Sequence, residues 1–149
     1  MDVSIRLAAP EEAERLTEIA CLSKAHWGYS AAQIDYWRTE FLTVTADYIR
    51  RHTVWVAVDT AGEAIAFAAL EQQGRGAVLE HLWVLPTFIG VGIGKRLFRR
   101  VAECTTEFTF TSDPQADDFY HKMGAEKIGE IASTYQGRNL SQFRFRAES

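Results

Sequence analysis

One stretch of the sequence concentrates the residues that could do chemistry. Leu79-Glu80-His81-Leu82-Trp83-Val84 reads as the end of a strand, and Leu85-Pro86 stops it. Ile89-Gly90-Val91-Gly92-Ile93-Gly94 follows as a glycine-rich turn, and Lys95-Arg96-Leu97-Phe98 opens a helix. Glycine lets a ligand come close to the backbone, and the first amides of a helix have no intrahelical partner. Those amides and the helix dipole suit a phosphate or pyrophosphate. Lys95 and Arg96 add positive charge beside them. Two familiar phosphate loops do not match. A P-loop needs glycine where Ile89 stands and Ser or Thr where Arg96 stands, and a GxGxxG fingerprint started at Gly90 needs glycine where Lys95 stands. In the strand, alternation puts Glu80 on one face with Val78, Leu82 and Val84. An apolar setting there raises a carboxyl toward the range of a working base. His81 then points to the other face, as a packed or hydrogen-bonded histidine. His26, His52 and His121 are isolated, no pair has metal-ligand spacing and HExxH is absent, so no metal is expected.

The elements that must position this stretch follow from periodicity. Val3, Ile5 and Leu7 alternate as a first strand. Pro10-Glu11-Glu12 opens a helix carrying Leu16, Ile19, Ala20 and Leu22 and ending near Trp27-Gly28. Ser30-Ala31-Ala32-Gln33 is a capping box for a second helix with Ile34, Trp37, Phe41 and Leu42 on one face. A third helical piece runs from Thr45 through Arg51. The period then changes, and Thr53 to Val58, Ala64 to Glu71 and Ala77 to Val84 make a three-stranded meander joined by turns. A helix follows Gly94, with Leu97, Phe98 and Val101 on its apolar face. Phe108 to Thr111 is a strand. Asp113-Pro114 opens a helix that carries Phe119, Tyr120 and Met123 and closes at Gly124. Lys127 to Ala132 and Leu140 to Arg146 are the last strands. The order implies an α/β layer architecture, a mixed sheet with helices on both faces.

Composition narrows the function classes. The chain has 149 residues, 47% of them hydrophobic, and a formal charge of -4. That size fits one domain over residues 1–149 with a substantial core. The acidic balance argues against nucleic acid as a partner. Cys21 and Cys104 make no CxxC and suit a reducing compartment. The first residues lack a basic segment followed by an apolar core, and the apolar run Ala64 to Leu70 is too short for a bilayer. A cytoplasmic location without membrane partners is expected.

Two motifs, in order, carry a family resemblance. Gly92-Ile93-Gly94 resembles the Q/R-x-x-G-x-G/A motif of the GNAT N-acetyltransferases, with Ile89 in the Q/R slot. Gln115-Ala116-Asp117-Asp118-Phe119-Tyr120-His121-Lys122-Met123-Gly124-Ala125 resembles the family's N-A-x-x-F-Y-x-x-x-G-F/A pattern, with Gln115 in place of Asn. The resemblance covers essentially the whole chain, because the element order also matches. It implies the GNAT fold, with a mostly antiparallel mixed sheet and a strand pair that splays between Leu82–Val84 and Phe108–Thr111. It implies acetyl-CoA as co-substrate. Ile89, Gly90, Val91, Gly92, Ile93, Gly94 and Lys95 would offer amides to its pyrophosphate. Leu82, Trp83 and Val84 would pair with its pantetheine arm, and Phe119 would pack against it. Tyr120 matches the residue whose phenol protonates the departing thiolate in many members.

The acceptor implied is a primary amine, probed by direct attack in a ternary complex. Attack requires a neutral amine, so a base must remove a proton, and Glu80 is the candidate; an ion pair with an arginine is its alternative role. A backbone N–H near the end of Leu82–Val84 would stabilise the oxyanion. Neither cysteine lies in a motif, so an acyl-enzyme has no visible nucleophile. Trp27 and Tyr29, in the loop between the first two helices, would wall a small-molecule acceptor pocket, and Arg138 would clamp an acceptor carboxylate. An enzyme acting on protein N-termini or lysines, and a non-catalytic acyl-CoA sensor, are the rival readings. An exposed last strand would offer an edge to a second copy, as in a homodimer.

Overall fold

The structure is a computed structural model and describes residues 2–73, 76–132 and 139–147. Seven strands form one sheet: β1 (Ser4–Leu7), β2 (Thr53–Val58), β3 (Ala64–Gln73), β4 (Gly76–Val84), β5 (Glu107–Ser112), β6 (Glu126–Ala132) and β7 (Asn139–Arg146). The spatial order is β1-β2-β3-β4-β5-β7-β6. Every pairing is antiparallel except that of β4 with β5. The helices are α1 (Ala13–His26), α2 (Ala31–Trp37), α3 (Ala46–Arg51), α4 (Ile93–Cys104) and α5 (Asp117–Lys122).

The two sheet faces are distinguished by neighbouring residues of β3. Gln72 reaches Cys104 of α4, and Glu71 reaches His52 at the end of α3. Adjacent strand residues point to opposite faces, so α4 covers one face and α1–α3 the other. That is why β2 and β3 are buried almost throughout, from Val54 to Val58 and from Ala64 to Leu70. A second part of the core is aromatic: Phe98 of α4 and Tyr120 of α5 meet Phe110 of β5, and Phe143 of β7 joins them.

Local chemistry sets the helix starts. Ser30 Oγ accepts from Gln33 N at 3.2 Å, and Gln33 Oε1 accepts from Ser30 N at 2.9 Å, the capping box read from the sequence. Thr45 Oγ1 caps α3 by accepting from Tyr48 N at 3.0 Å. The α2 helix ends differently from the reading. Arg38–Leu42 is a π-helical turn, which inserts a residue into the helical period. Leu42 is buried, while Phe41 is left 44% exposed instead of sharing its face. The edge reading is also corrected. The last strand, β7, lies between β5 and β6, so the sheet ends at β6 and β1, and β7 offers no edge to a second copy.

Candidate functional site

The strand pair β4 and β5 parts almost as soon as it meets. Val78 and Thr109 are the one paired position, and β4 runs on through Val84 without β5 beside it. On their other sides each strand stays paired, β4 with β3 and β5 with β7. The parting opens a cleft of about 1070 Å³ that passes from the α4 face toward the α1–α3 face. Leu82, Trp83 and Val84 line it. One of the freed carbonyls, Val84 O, accepts from Ser23 Oγ of α1 at 2.7 Å.

The glycine turn stands at one mouth of the cleft. Gly90 and Gly92 have φ of +89° and +87°, a region closed to side chains without strain. Gly92 is the N-cap of α4, and the first helical bond runs from Arg96 N to Gly92 O at 3.1 Å. The amides of Ile93, Gly94 and Lys95 therefore have no helical partner. A Cβ on Gly94 would stand 3.4 Å from Phe119 Cζ and 3.7 Å from Val84 Cγ2. Both sequence motifs and the end of β4 thus meet at Gly94. Ile89, Gly90, Gly92, Gly94 and Lys95 line the cleft, and Ile93 does so with its side chain buried. Val91 is not on the lining and is 58% exposed.

Glu80 shares the face of Val78, as alternation assigns, but not that of Leu82 and Val84. Ala69 pairs with His81 and Leu70 with Leu79, so Glu80 is the extra residue of a β-bulge. A bulge shifts the side-chain phase by one. Val84 keeps to the α4 face beside Gly94, while Glu80 turns to the α1–α3 face and joins His81 there. Its surroundings are polar as well as aromatic, contrary to the apolar setting expected. Tyr48 Oη donates to Glu80 Oε1 at 2.5 Å, and His52 Nε2 is 3.5 Å from the same oxygen. Its side chain is 36% exposed, and Oε2 has no partner among the described residues. No arginine pairs with it among those residues. His52 also contacts Glu71 Oε2, and its Nδ1 lies 2.9 Å from Tyr48 O. One His and two carboxylates thus converge within 4.8 Å. The sequence had no sign of this group, because its members come from separate elements. Burial, then the bond to Glu80, holds the Tyr48 phenol well above its ordinary range, so it stays a donor. His81 accepts from Trp83 Nε1 at 3.0 Å, and burial pulls its pKa down to about 4, so it is neutral at pH 7.

Tyr120 stands on the cleft wall with its ring inside the aromatic core, 4.4 Å from the Phe110 centroid. Burial pushes its phenol up, so the hydroxyl is protonated at neutral pH. It makes no hydrogen bond among the described residues. Phe119 is beside it, with ring centroids 5.1 Å apart.

The helix loop divides its two aromatics. Trp27 lines the cleft, whereas Tyr29 stands behind it, edge-on to Trp37 at 4.8 Å, with its hydroxyl donating to Asp113 Oδ2. Lys24 Nζ bonds the same oxygen at 2.9 Å and sits 4.7 Å from the Trp37 ring centroid. Lys24 is 4% exposed. Burial by itself raises the Asp113 carboxyl, but bonds from Tyr29, Lys24 and the Gln115 amide outweigh it and hold the pKa below the usual value. Asp113 reads in sequence only as a helix start, and nothing there joins it to Lys24. Arg138 lies outside the described residues.

Comparisons with known proteins agree with this architecture. YjaB from Escherichia coli, solved in its apo form, has 24% identity and a TM-score of 0.79, over 99% of this chain and 100% of that one. The PaiA N-acetyltransferase from Thermoplasma acidophilum, solved with coenzyme A, has 21% identity and a TM-score of 0.77, over 98% and 99%. YncA from Salmonella typhimurium, solved with its cofactor acetyl-CoA, has 16% identity and a TM-score of 0.70, over 100% and 96%. At these identities the likeness is one of fold. No curated protein matches the sequence. The family profile "Acetyltransferase (GNAT) domain" matches residues 50–124, which hold the bulged strand, the glycine turn and Tyr120. With half of its length under that profile, the chain belongs to the GNAT acetyltransferase family.

Proposed function

We propose that the protein is an acetyl-CoA-dependent N-acetyltransferase acting on the primary amine of a small molecule by direct attack. The observation that carries the reading is one cleft, through the parted β4 and β5, with the amides of Ile93, Gly94 and Lys95 at one end and Glu80 at the other. The solved structures of PaiA with coenzyme A and YncA with acetyl-CoA support the choice of co-substrate. The turn fits it: a cradle of unpartnered amides, Lys95 beside them, and Gly94 kept bare under Phe119. Acetyl-CoA supplies an activated acyl group on a thioester.

The chain's own residues do the rest. Glu80 Oε2 takes a proton from the ammonium, with Oε1 held by Tyr48. The neutral amine forms the new C–N bond as the C–S bond breaks. The Tyr120 hydroxyl gives its proton to the leaving sulfur, and the second proton lost by nitrogen restores it, directly or through water. The net release is one proton, from Glu80 to solvent. Trp27 shapes the acceptor end, and Tyr29 acts behind it by fixing Asp113.

Calorimetric titration with acetyl-CoA and with free CoA tests the cofactor half. One site per chain is expected. Thiol release with a panel of amines then tests transfer. Folded protein that binds neither ligand would refute the reading.

A further inference from the structure

The acceptor end of the cleft has a chemical character of its own. Trp27 and Phe41 wall it from α1 and the π turn, Tyr48 from α3, and Trp83 from β4. Phe41 is the telling ring. It is 44% exposed although it sits one residue from the fully buried Leu42. An aromatic ring left on a cavity wall is uncovered apolar area, and a flat apolar ligand is what covers it.

Among the described residues, the carboxylates on the lining at this end have no ion pair with a lysine or arginine. Glu40, on the same π turn, and Glu80 line the cleft. Glu40 makes no hydrogen bond or ion pair among the described residues. Two described cations line the cleft: Lys95 belongs to the glycine turn, and Lys24 is bound to Asp113 under the rings of Tyr29 and Trp37. An ammonium near these rings and carboxylates is favoured twice, by charge and by the ring faces. A ligand carboxylate would face like charges, which costs specificity-determining free energy.

We propose that the acceptor is an aralkyl amine, a primary ammonium on a short alkyl arm joined to a flat apolar ring, with no carboxylate. The inference rests on the reading of the chain as an amine acetyltransferase and adds the class of amine. Glu80 receives the ammonium, and Phe41 and Trp27 cover the ring. Glu40 adds to the negative field that repels acidic acceptors.

A matched panel tests it: 2-phenylethylamine, phenylalanine, butane-1,4-diamine and ethylamine, with transfer read by thiol release. The phenyl pair differs by one carboxylate. The kcat/KM for 2-phenylethylamine should exceed that for phenylalanine roughly 10²-fold. It should also exceed those for the diamine and ethylamine. Phe41→Ala should raise KM for 2-phenylethylamine roughly tenfold and leave that for ethylamine within about twofold. Unchanged acetyl-CoA affinity by calorimetry shows that this variant is folded. Glu40→Gln should narrow the gap between 2-phenylethylamine and phenylalanine. A preference for phenylalanine or for the diamine, or an equal effect of Phe41→Ala on both monoamines, would overturn the class and leave amine acetylation standing. Acetyl-CoA binding with no amine acetylated would overturn both.

Discussion

In the proposed reaction, Glu80 and Tyr120 divide the proton work between an exposed carboxylate and a buried phenol. Glu80→Gln keeps the shape and the bond from Tyr48 but removes the base. The expected result is a loss of about 10²–10⁴-fold in kcat/KM with acetyl-CoA affinity unchanged, read by steady-state kinetics beside calorimetry. Tyr120→Phe should lower kcat by about 10²-fold. It should not lower the melting temperature, because the hydroxyl has no hydrogen bond to lose among the described residues. A purely structural tyrosine would give the reverse pattern. The raised phenol also predicts that no alkaline loss of rate below about pH 10 comes from Tyr120. Tyr120 was legible because a contiguous pattern names it. Glu80 was legible as a residue, but its face was not shared with Leu82 and Val84, since alternation assumes an unbroken ladder and the bulge breaks it.

At the scale of elements, three irregular pieces of backbone build the cleft: the glycine turn, the bulge of β4 and the π turn after α2. The turn is the most direct to test. An added Cβ at Gly92 meets nothing within 4 Å, so the cost of Gly92→Ala is in the backbone alone, at φ +87°. That cost is about 1–2 kcal/mol, which lowers Tm by roughly 2–8 °C in a chain of this size. Acetyl-CoA affinity should fall with it, because relief of the strain turns the α4 amides away. Differential scanning calorimetry and binding titration read the two effects separately. Gly94→Ala should behave otherwise: its φ is unstrained, and the added carbon meets Phe119 at 3.4 Å, so binding suffers more than stability. The turn could be read from three glycines at alternate positions. The bulge and the π turn could not, because neither carries a residue type that marks it.

Across the whole molecule, Lys24 and Asp113 tie α1 to the end of β5 on the far side of the parted strands. The pair joins layers that the sheet itself leaves unpaired there. Asp113→Asn removes the carboxylate that pairs with the buried Lys24 charge and should destabilise the fold by about 3 kcal/mol at pH 7. The sign of its pH dependence follows from the lowered folded pKa. The carboxylate's contribution is complete above the unfolded value of about 3.9 and is lost as the pH falls through the folded one. Urea denaturation should therefore show the gap between wild type and Asp113→Asn closing only in acid, below about pH 4. A gap independent of pH would assign the effect to packing.

The sequence by itself determined the elements and the motifs, because both are written in near neighbours. Alternation marks the strands, Ser30 and Gln33 mark a helix start, and the glycines and Phe119-Tyr120 keep fixed spacings. The tertiary structure decided everything that depends on which distant residues meet. It set Glu80 beside His81 on the α1–α3 face, surrounded it with Tyr48 and His52, buried Lys24 against Asp113 and left Phe41 on the cleft wall. Local spacing fixes a side chain's direction only while the backbone stays regular. At a bulge, at a π turn and across a gap between strands, the packing of whole layers sets it instead.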